Sequence, residues 1–460
     1  MNSSLRNPDL AIIGAGPAGL GAAIAARSGG LSVVLIDDQL EPGGQIWRAA
    51  GSSPLEHAQR MGREYLDGRE RVADFLDCGA TYLPEHTVWQ IEETDEQITV
   101  YCSGPDSGET IKPKALLLAT GAVERPVPIP GWTLPGVMTG GGLQVLLKSA
   151  RLSPEGSVLA GAGPLLWLLA AQLVAAGSPP VAVVEGVSLH SHVAAIRHLP
   201  SALKDAKPLA KGLSLMAKVT GAGVSVYRNA QDFRVLGDTR VSGFSFKNMF
   251  GRTKKIDTEV VGLHCGVVPN PQITRLLRTD HRWSKDQHAF HPVRDREFRV
   301  GSNIYVAGDG ARIGGAEVAW LEGQIIGTQI SGGDTFALRQ QARKAEATRP
   351  FIDRLYLPDR HLRVPLDDTT ICRCEGVTAG RVRQAARDGA AGPNQVKFML
   401  RTGMGPCQGR VCGLALSEVI AETRNQNMAD TGYLRIRPPI KPIPVGAVAE
   451  ASACEPPEST

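Results

Sequence analysis

The sequence predicts an α/β protein with two dinucleotide-binding folds and a small cysteine-rich module after them. Three observations carry this prediction. A glycine-rich strand-turn-helix pattern begins near Leu10, a second begins near Ser157, and four of the eight cysteines lie between Cys372 and Cys412. At 460 residues the chain is long enough for about three domains, which matches these three regions.

The first pattern, at 9–39, reads DLAIIGAGPAGLGAAIAARSGGLSVVLIDDQ, which is a strand, a glycine turn, an alanine-rich helix and a second strand. Gly14, Gly16 and Gly19 permit a tight turn, close approach of the backbone to a pyrophosphate, and close packing of helix on strand. Asp37 follows 23 positions after Gly14, where a carboxylate can accept hydrogen bonds from an adenosine ribose. The pattern therefore predicts a dinucleotide site.

Three further stretches accompany this fold: EPGGQIW at 41–47, ALLLATGAVERPVPIPG at 115–131 and SNIYVAGDGARIGGAEVAWLEG at 302–323. With them the chain resembles the two-dinucleotide-domain flavoproteins that include the thioredoxin and glutathione reductases. The resemblance implies an FAD domain in which Asp309 binds the ribityl chain, although Asp309 could instead cap the helix that begins near Gly315. The FAD-binding residues implied are Gly14, Gly16, Pro17, Ala18, Gly19, Asp37, Gly44, Gln45, Thr120, Gly121, Gly308, Asp309, Gly315 and Ala316.

The second pattern, at 157–186, reads SVLAGAGPLLWLLAAQLVAAGSPPVAVVEG, and its apolar part is long enough to suggest a membrane span. Its glycines and its Pro-Pro pair instead divide it into a strand, a buried helix and a strand, so no span is predicted. Gly161 and Gly163 are present, Leu166 replaces the third glycine, and Glu185 closes the second strand. An acid there disfavours a 2'-phosphate, and whether this fold binds NAD, another nucleotide or nothing stays open.

Flavoprotein disulfide reductases carry paired cysteines beside the flavin, and the corresponding stretches of this chain have none. These stretches are PGGQIWRAAG at 42–51 and LPGVMTGGGLQVL at 134–146. Disulfide reduction is therefore excluded as the expected activity, and electrons must leave the flavin by another route.

The clustered cysteines read Cys-x-Cys, 32 residues, Cys-x4-Cys, and they are Cys372, Cys374, Cys407 and Cys412. Four thiolates can hold tetrahedral zinc or a 2Fe-2S cluster, and the spacing alone leaves both open. The arrangement resembles the bacterioferritin-associated ferredoxin-type 2Fe-2S domain, whose second pair is usually Cys-x2-Cys. Iron also suits a flavoprotein, because a 2Fe-2S cluster converts between two-electron and one-electron transfer.

The order of these parts resembles, over nearly the whole chain, the α (A) subunits of heteromeric flavin-dependent amino-acid dehydrogenases. This group includes opine oxidases, D-hydroxyproline and proline dehydrogenases, and the related B subunit of hydrogen cyanide synthase. The stretches that carry the resemblance are PGWTLPGVMTGGGLQVLLKS, GAGPLLWLLAAQL, CRCEGVT and MGPCQGRVC.

The resemblance implies that a glycine-oxidase-like β subunit with its own FAD oxidises an amine substrate. This chain would relay the electrons through FAD, or a flavin at the subunit interface, to a 2Fe-2S cluster and an external acceptor. A chain with that role could also bind a small additional 2Fe-2S subunit. It could, in addition, make a peripheral contact with the respiratory chain. The alternatives are a hydrogen cyanide synthase subunit, a self-contained NADH-dependent oxidoreductase and a non-catalytic scaffold. No catalytic residue can be assigned.

Charge and the N-terminal residues limit the other partners. The net charge of +4 is small, and no block of like charges interleaves with aromatic residues, so no nucleic acid is expected. The first residues lack the features of a signal peptide, which makes the cytoplasm the expected location. The expected divisions are an FAD domain at 1–128 and 259–345, an inserted degraded nucleotide domain at 129–258, a cluster module at 366–425 and a proline-rich tail at 426–460.

Overall fold

The structure is a computed structural model, and it describes residues 6–95, 97–105 and 107–453. Its first sheet has five parallel strands, in the spatial order Ile304–Val306, Ala115–Leu118, Leu10–Ile13, Val33–Ile36 and Thr81–Leu83. The helix Pro17–Ser28 joins two of them and crosses the helix Ala316–Ile330 so closely that a Cβ on Gly323 would lie 2.0 Å from the carbonyl oxygen of Ala18. Glycine thus permits the helix packing that covers this sheet.

The first unit is completed by two helices and an antiparallel sheet. The helices are Leu55–Met61 and Arg63–Asp77, and the strands are Thr87–Glu93, Ile98–Ser103 and Gly108–Ile111. An antiparallel pair, Ala122–Glu124 with Val267–Pro269, then leads into and out of the second unit.

The second unit is also a five-stranded parallel sheet, in the order Ser225–Tyr227, Ala182–Glu185, Val158–Ala162, Val261–Cys265 and Val137–Thr139. The predicted division of 157–184 is confirmed, because the helix Pro164–Ala175 separates the strands Val158–Ala162 and Ala182–Glu185. The unit was expected to end at 258, but it continues to Cys265, since its central strand pairs with Val261–Cys265.

Helices and a second antiparallel sheet surround this unit. Its helices are Gly140–Val145, which continues as the π-helix Leu146–Ala150, then Pro164–Ala175, Leu189–Ile196, Leu199–Ala202 and Lys207–Gly221. The antiparallel strands are Gln231–Leu236, Gly243–Lys247 and Thr253–Asp257. Within the described residues, no helix has both the length and the apolar character needed to cross a membrane.

The chain then returns to the first unit and leaves it through a linker. The returning part contains the helix Gln272–Leu276 and the hairpin His281–Ser284 with Ala289–Pro292. Beyond Ala316–Ile330 come the helices Phe336–Glu346, Arg349–Leu355 and Arg360–Arg363.

The cysteine module follows the linker, and the helix Ala379–Arg387 lies between its two cysteine pairs. The module comprises the strands Thr370–Cys372 and Val377–Thr378 and the helices Ala379–Arg387, Pro393–Leu400 and Gly413–Thr423.

The segment after the cysteine module, the expected proline-rich tail, holds the short helices Met428–Thr431 and Val445–Ala453 with an irregular arm between them. The arm returns to the first unit, where the backbone N-H of Ile440 donates to the carbonyl of Trp89 at 3.1 Å. The end of the predicted tail lies outside the described residues.

Candidate functional site

The first glycine turn has the geometry of a phosphate-binding loop. Gly14 has a φ of +108°, and a Cβ there would lie 2.4 Å from the carbonyl oxygen of Ala119. A Cβ on Gly19 would lie 1.9 Å from the carbonyl oxygen of Gly14, so both positions require glycine. Gly16, by contrast, has its nearest neighbour 4.0 Å from a built Cβ, and it precedes the helix start at Pro17, where no side chain caps the backbone N-H groups. This opening allows a pyrophosphate to approach the helix N-terminus.

Asp37 lies beside this turn, at the end of the second strand. Its Oδ2 accepts from the N-H of Ala15 at 2.5 Å and its Oδ1 accepts from the N-H of Gln39 at 2.8 Å. Burial raises the pKa of the Asp37 carboxyl, while the two N-H groups favour its charged form. Each carboxylate oxygen can accept a further hydrogen bond, so the group suits the hydroxyls of a ribose.

The Ala-Thr-Gly turn and the Gly-Asp motif meet at the other end of the site. A Cβ on Gly310 would lie 3.3 Å from the backbone nitrogen of Gly121 and 3.4 Å from Oγ1 of Thr120. Asp309 Oδ1 accepts from the N-H groups of Gly314 and Gly315 at 2.8 and 2.9 Å, and burial raises the pKa of its carboxyl. Asp309 therefore holds the backbone just before the helix Ala316–Ile330, which agrees with the alternative that it caps this helix. Its Oδ2 makes no hydrogen bond among the described residues, which leaves one oxygen for a ligand hydroxyl.

Together these loops form an elongated cradle that fits FAD. Open space lies beside the Cα atoms of Gly121 and Gly315, both of which have positive φ angles. Gly44 lies across from the first turn, since its built Cβ would come within 2.8 Å of the Cα of Gly16. The glycine turns and acids predicted from the sequence thus follow the carboxyl ends of neighbouring parallel strands, where open α/β sheets bind ligands.

Sequence reasoning missed Lys148, which lies in the π-helix Leu146–Ala150. Its ammonium group is buried and donates to the carbonyls of Gln45 and Ile46 at 3.1 and 2.8 Å and to Oε1 of Gln144 at 3.1 Å. Burial lowers the pKa of Lys148 to about 7. This side chain ties the second unit to the loop that carries Gln45. A lone lysine inside the apolar run LQVLLKSA was the available signal.

The second glycine turn keeps the positive φ angles of such turns, but the acid that follows it, Glu185, is hydrogen-bonded to another side chain. Gly161 and Gly163 have φ angles of +136° and +131°. Glu185, at the carboxyl end of its strand, is 3% exposed, and its Oε1 accepts from the indole Nε1 of Trp167 at 2.9 Å. Burial raises the pKa of Glu185. The position that would accept ribose hydroxyls is therefore occupied by the protein's own hydrogen bond.

The linker at 347–363 covers the same edge of the second sheet. Leu362 is buried there, and a Cβ on Gly186 would lie 3.0 Å from Cδ1 of Leu362. Earlier in the linker, Oγ1 of Thr348 donates to the carbonyl of Asp205 at 3.0 Å. The chain thus packs its own linker where the adenosine of a bound dinucleotide would lie in this fold.

The four clustered cysteines converge as reduced thiols. Cys412 shares side-chain hydrogen bonds with Cys372 and Cys407, and Cys407 shares one with Cys374. The hydrogen bonds from Cys412 lower the pKa of Cys372 to about 6 and that of Cys407 to about 5. The pKa of Cys412 is raised in return, chiefly by its bond to Cys372. Cys372 and Cys407 are therefore the two thiols of the set that lose their protons most readily, and the thiolate is the form that binds a metal.

The four cysteines supply the number of sulfur ligands that a 2Fe-2S cluster requires. Within the described part of the chain, no three histidine, cysteine or acidic side chains form a group that could hold a metal ion. A 2Fe-2S cluster requires four thiolates in total, two for each iron, so it does not need three to converge on one ion. Backbone N-H groups of Gly403 and Glu375 point at the sulfur of Cys372, and those of Gly409 and Val411 point at Cys407. Such N-H groups stabilise thiolate charge.

Glycine makes the close approach of the two cysteine loops possible. A Cβ on Gly405 would lie 2.2 Å from the Cβ of Cys374 and 3.0 Å from its sulfur. Behind the loops, Leu434 of the arm fills the space beside Gly403 and Gly409, whose built Cβ atoms would lie 2.7 and 2.5 Å from Leu434 Cδ1. The arm therefore forms one wall of the cysteine site.

A short hydrogen-bonded route connects the two sites. The N-H of Asn270 donates to the carbonyl of Gly121 at 3.1 Å, and Asn270 Oδ1 accepts from the N-H of Gln272 at 3.3 Å. The buried amide of Gln272 then donates through Nε2 to the carbonyl of Gln408, between Cys407 and Cys412, at 3.2 Å. The flavin-type turn and the cysteine loop are thus connected through only two intervening side chains.

Comparisons with protein families agree with both sites. Residues 8–323 match the model of the pyridine nucleotide-disulphide oxidoreductases, and residues 370–422 match the BFD-like [2Fe-2S] binding domain. The chain is 41% identical to the A subunit of opine oxidase from Rhizobium meliloti (strain 1021), over 96% of this chain and 98% of that protein. It is 31% identical to hydrogen cyanide synthase subunit HcnB of Pseudomonas aeruginosa, over 95% of this chain and 97% of that protein.

Among solved structures, the chain is similar to L-proline dehydrogenase from P. horikoshii. The TM-score is 0.70 and the identity 20%, over 96% of this chain and 79% of that chain. The thioredoxin reductase of T. acidophilum aligns with 71% of this chain and 98% of its own, at a TM-score of 0.51 and 17% identity. At these identities the likeness concerns the fold, and it extends over both nucleotide units.

Proposed function

Because the chain belongs to the pyridine nucleotide-disulphide oxidoreductase family, and within it to the family of opine oxidase A subunits, we propose that it is the electron-relay subunit of a heteromeric amino-acid or imino-acid dehydrogenase. A separate β subunit, glycine-oxidase-like and carrying its own FAD, oxidises an opine, D-hydroxyproline or proline-type amine. The present chain takes up the electrons and passes them to an external acceptor.

The chain is an FAD-dependent oxidoreductase with FAD and a 2Fe-2S cluster as its cofactors. Bound FAD supplies two-electron chemistry and the cluster one-electron chemistry. We propose that Asp37 and the Gly14–Gly19 turn hold the adenosine and pyrophosphate, that Asp309 and the Thr120–Gly121 turn hold the ribityl and ring end, and that Cys372, Cys374, Cys407 and Cys412 hold the cluster.

The observation that carries the relay is the route from Gly121 through Asn270 and Gln272 to Gln408, which connects the two cofactor loops inside one chain. Loops that are hydrogen-bonded to each other in a buried contact keep a fixed separation. A fixed separation is what transfer between two bound cofactors needs.

The second nucleotide fold is proposed to be a platform for the linker and not a pyridine-nucleotide site. Two features support this: Glu185 is engaged by Trp167, and Leu362 covers the strand end beside Gly186. A self-contained NADH oxidoreductase needs that edge open. An opine-type substrate is favoured over glycine, because the identity is 41% to the opine oxidase relative and 31% to the cyanide synthase relative.

The test is anaerobic spectroscopy of the chain co-expressed with its β subunit. Candidate opines, proline and glycine are added in turn, and visible absorption and low-temperature EPR are recorded together with flavin and iron content. The proposal expects the substrate to bleach the flavin and to produce the EPR signal of a reduced 2Fe-2S cluster. A flavin that stays oxidised with partner and substrate present would favour the scaffold alternative, and bleaching by NADH alone would favour the self-contained enzyme.

A further inference from the structure

The cysteine module presents an exposed apolar and basic face beside its most accessible thiol. Of the four clustered cysteines, Cys374 is exposed, Cys407 is half-buried and the other two are buried. Around this edge, the exposed fractions are 86% for Phe398, 48% for Met399 and 39% for Met404. Single exposed apolar side chains are common, but three within one short segment beside an exposed thiol form a cluster that favours a docking role.

Local contacts join these side chains to the cluster edge. Met404 follows the C-terminal end of the helix Pro393–Leu400, and its N-H donates to the carbonyl of Arg401 at 2.9 Å. Arg401 in turn lies 3.1 Å from the carboxylate of Glu375, the residue after Cys374. Gly405 packs directly on Cys374. The exposed apolar residues thus belong to the segment that leads directly into the loop packed on Cys374, and we call Phe398, Met399, Met404 and Cys374 the cluster-edge face.

Positive charge borders this face. The arm runs alongside the helix Pro393–Leu400, because Asn394 Oδ1 accepts from the N-H of Arg435 at 2.7 Å. The exposed Arg437 of the arm thereby lies near Lys397, and the exposed Arg435 and Arg437 both lie near Arg278. The acid on the same face, Glu375, is already paired with Arg401.

We propose that the cluster-edge face docks an acidic one-electron carrier protein, which takes electrons at the Cys374 edge. This inference rests on the proposed relay function and adds to it the exit and the chemistry of the acceptor. Arginine side chains pair with carboxylates through a rigid fork, and charges at the rim of an interface steer a partner while an apolar centre holds it. The transfer is balanced by one electron: the cluster is oxidised by one, the carrier's oxidised centre is reduced by one, and no proton or group moves.

The experiment uses the full chain with FAD and cluster, reduced anaerobically with dithionite. In a stopped-flow instrument it is mixed with oxidised rubredoxin, a small acidic one-electron carrier, or with oxidised cytochrome c, a basic one. The variant Arg435→Glu/Arg437→Glu is compared with Arg381→Glu/Arg387→Glu. The control pair makes the same charge change on exposed arginines of the helix Ala379–Arg387, outside the face. Flavin and iron contents verify that each variant is loaded.

We expect the Arg435→Glu/Arg437→Glu variant to reduce rubredoxin about tenfold more slowly at low ionic strength, a difference that salt removes, and to reduce cytochrome c faster. Phe398→Ser should slow both carriers. Equal effects of the two double variants, or none, would overturn the proposal. The proposal would also be overturned if the Arg435→Glu/Arg437→Glu variant reduced rubredoxin at the wild-type rate but no longer sedimented with phosphatidylserine vesicles as the wild type does. That result would assign the face to a membrane surface. Absence of iron or of a dithionite-induced EPR signal in the wild type would instead be a failure of the relay function itself.

Discussion

The side-chain amide of Gln272 donates a 3.2 Å hydrogen bond to the backbone carbonyl of Gln408 and so joins the flavin-type domain to the cysteine loop. Gln272 is 1% exposed, and its Oε1 has no hydrogen-bond partner among the described residues. A buried side chain that leaves one polar atom unpaired costs stability. The position is therefore better explained by the contact it makes than by packing alone.

Replacing Gln272 by leucine should loosen this contact without emptying either site. We expect cluster reduction to lag behind flavin reduction more than in the wild type, because the hydrogen bond that fixes the two loops to each other is lost. Stopped-flow absorption with the co-expressed partner and substrate measures that lag. Thr348→Val is the matched control, because Thr348 is a buried side chain whose hydroxyl donates to the carbonyl of Asp205 at 3.0 Å, in the contact between the linker and the second unit. A similar lag in both variants would assign Gln272 a purely structural role.

Gly405→Ala should prevent assembly of the cluster. The added Cβ would lie 2.2 Å from the Cβ of Cys374, so the two cysteine loops must move apart. We expect iron per chain and the EPR signal to fall sharply while FAD stays bound. Gly212→Ala serves as the control, since nothing lies within 4 Å of its built Cβ in the helix Lys207–Gly221. Full iron content in Gly405→Ala would contradict this interpretation of the site.

Because of Lys148, the chain should become more stable as the pH rises above 7. Its pKa is about 7 in the folded chain and has an ordinary value of 10.5, so above pH 7 the unfolded chain holds a proton that the folded chain has released. The free energy of unfolding should therefore rise with pH, by at most about 1.4 kcal/mol per unit from this group. Thermal unfolding of the wild type and of Lys148→Met, at pH values between about 7 and 9, measures the difference. Parallel profiles would mean that the three oxygen acceptors keep the ammonium charged.

NADH should neither bleach the flavin nor bind saturably. The carboxylate of Glu185 is held by Trp167, and the linker fills the strand end where an adenosine would lie. Quenching of tryptophan fluorescence during titration with NADH and with ATP measures binding, with absorption at the flavin band recorded in parallel. Saturable quenching that disappears in Glu185→Gln would reverse the interpretation and restore the second fold as a nucleotide site.

Local patterns predicted the elements whose signal lies within one stretch of sequence. The turn at Gly14–Gly19, the helix after Gly315 and the division of 157–184 all follow from glycine spacing and apolar runs. The end of the second unit was misplaced because Val261–Cys265 pairs with a strand about a hundred residues earlier. The sequence of a short apolar strand does not indicate which other strand it pairs with. A pairing of that kind exists only in the folded chain.

The same limit applies to the sites. The cysteine spacing identified four metal-ligand candidates, but the glycine that lets their loops meet and the Gln272 contact depend on segments far apart in sequence. Glu185 illustrates the opposite case. Its position in the pattern is the one from which an acid can bind a ribose, and the sequence left open whether it does; in the fold it bonds to an indole and is removed from solvent.

The arm that supplies Leu434 behind the cysteine loops follows all four cysteines in the chain. Its contact with Trp89 fixes it to the first unit, so the wall behind the cysteine loops is anchored outside the cysteine module. A chain cut just before Leu434 would keep every candidate cluster ligand and lose that wall. The four cysteines are therefore a complete set of ligands in an incomplete site until the arm is in place.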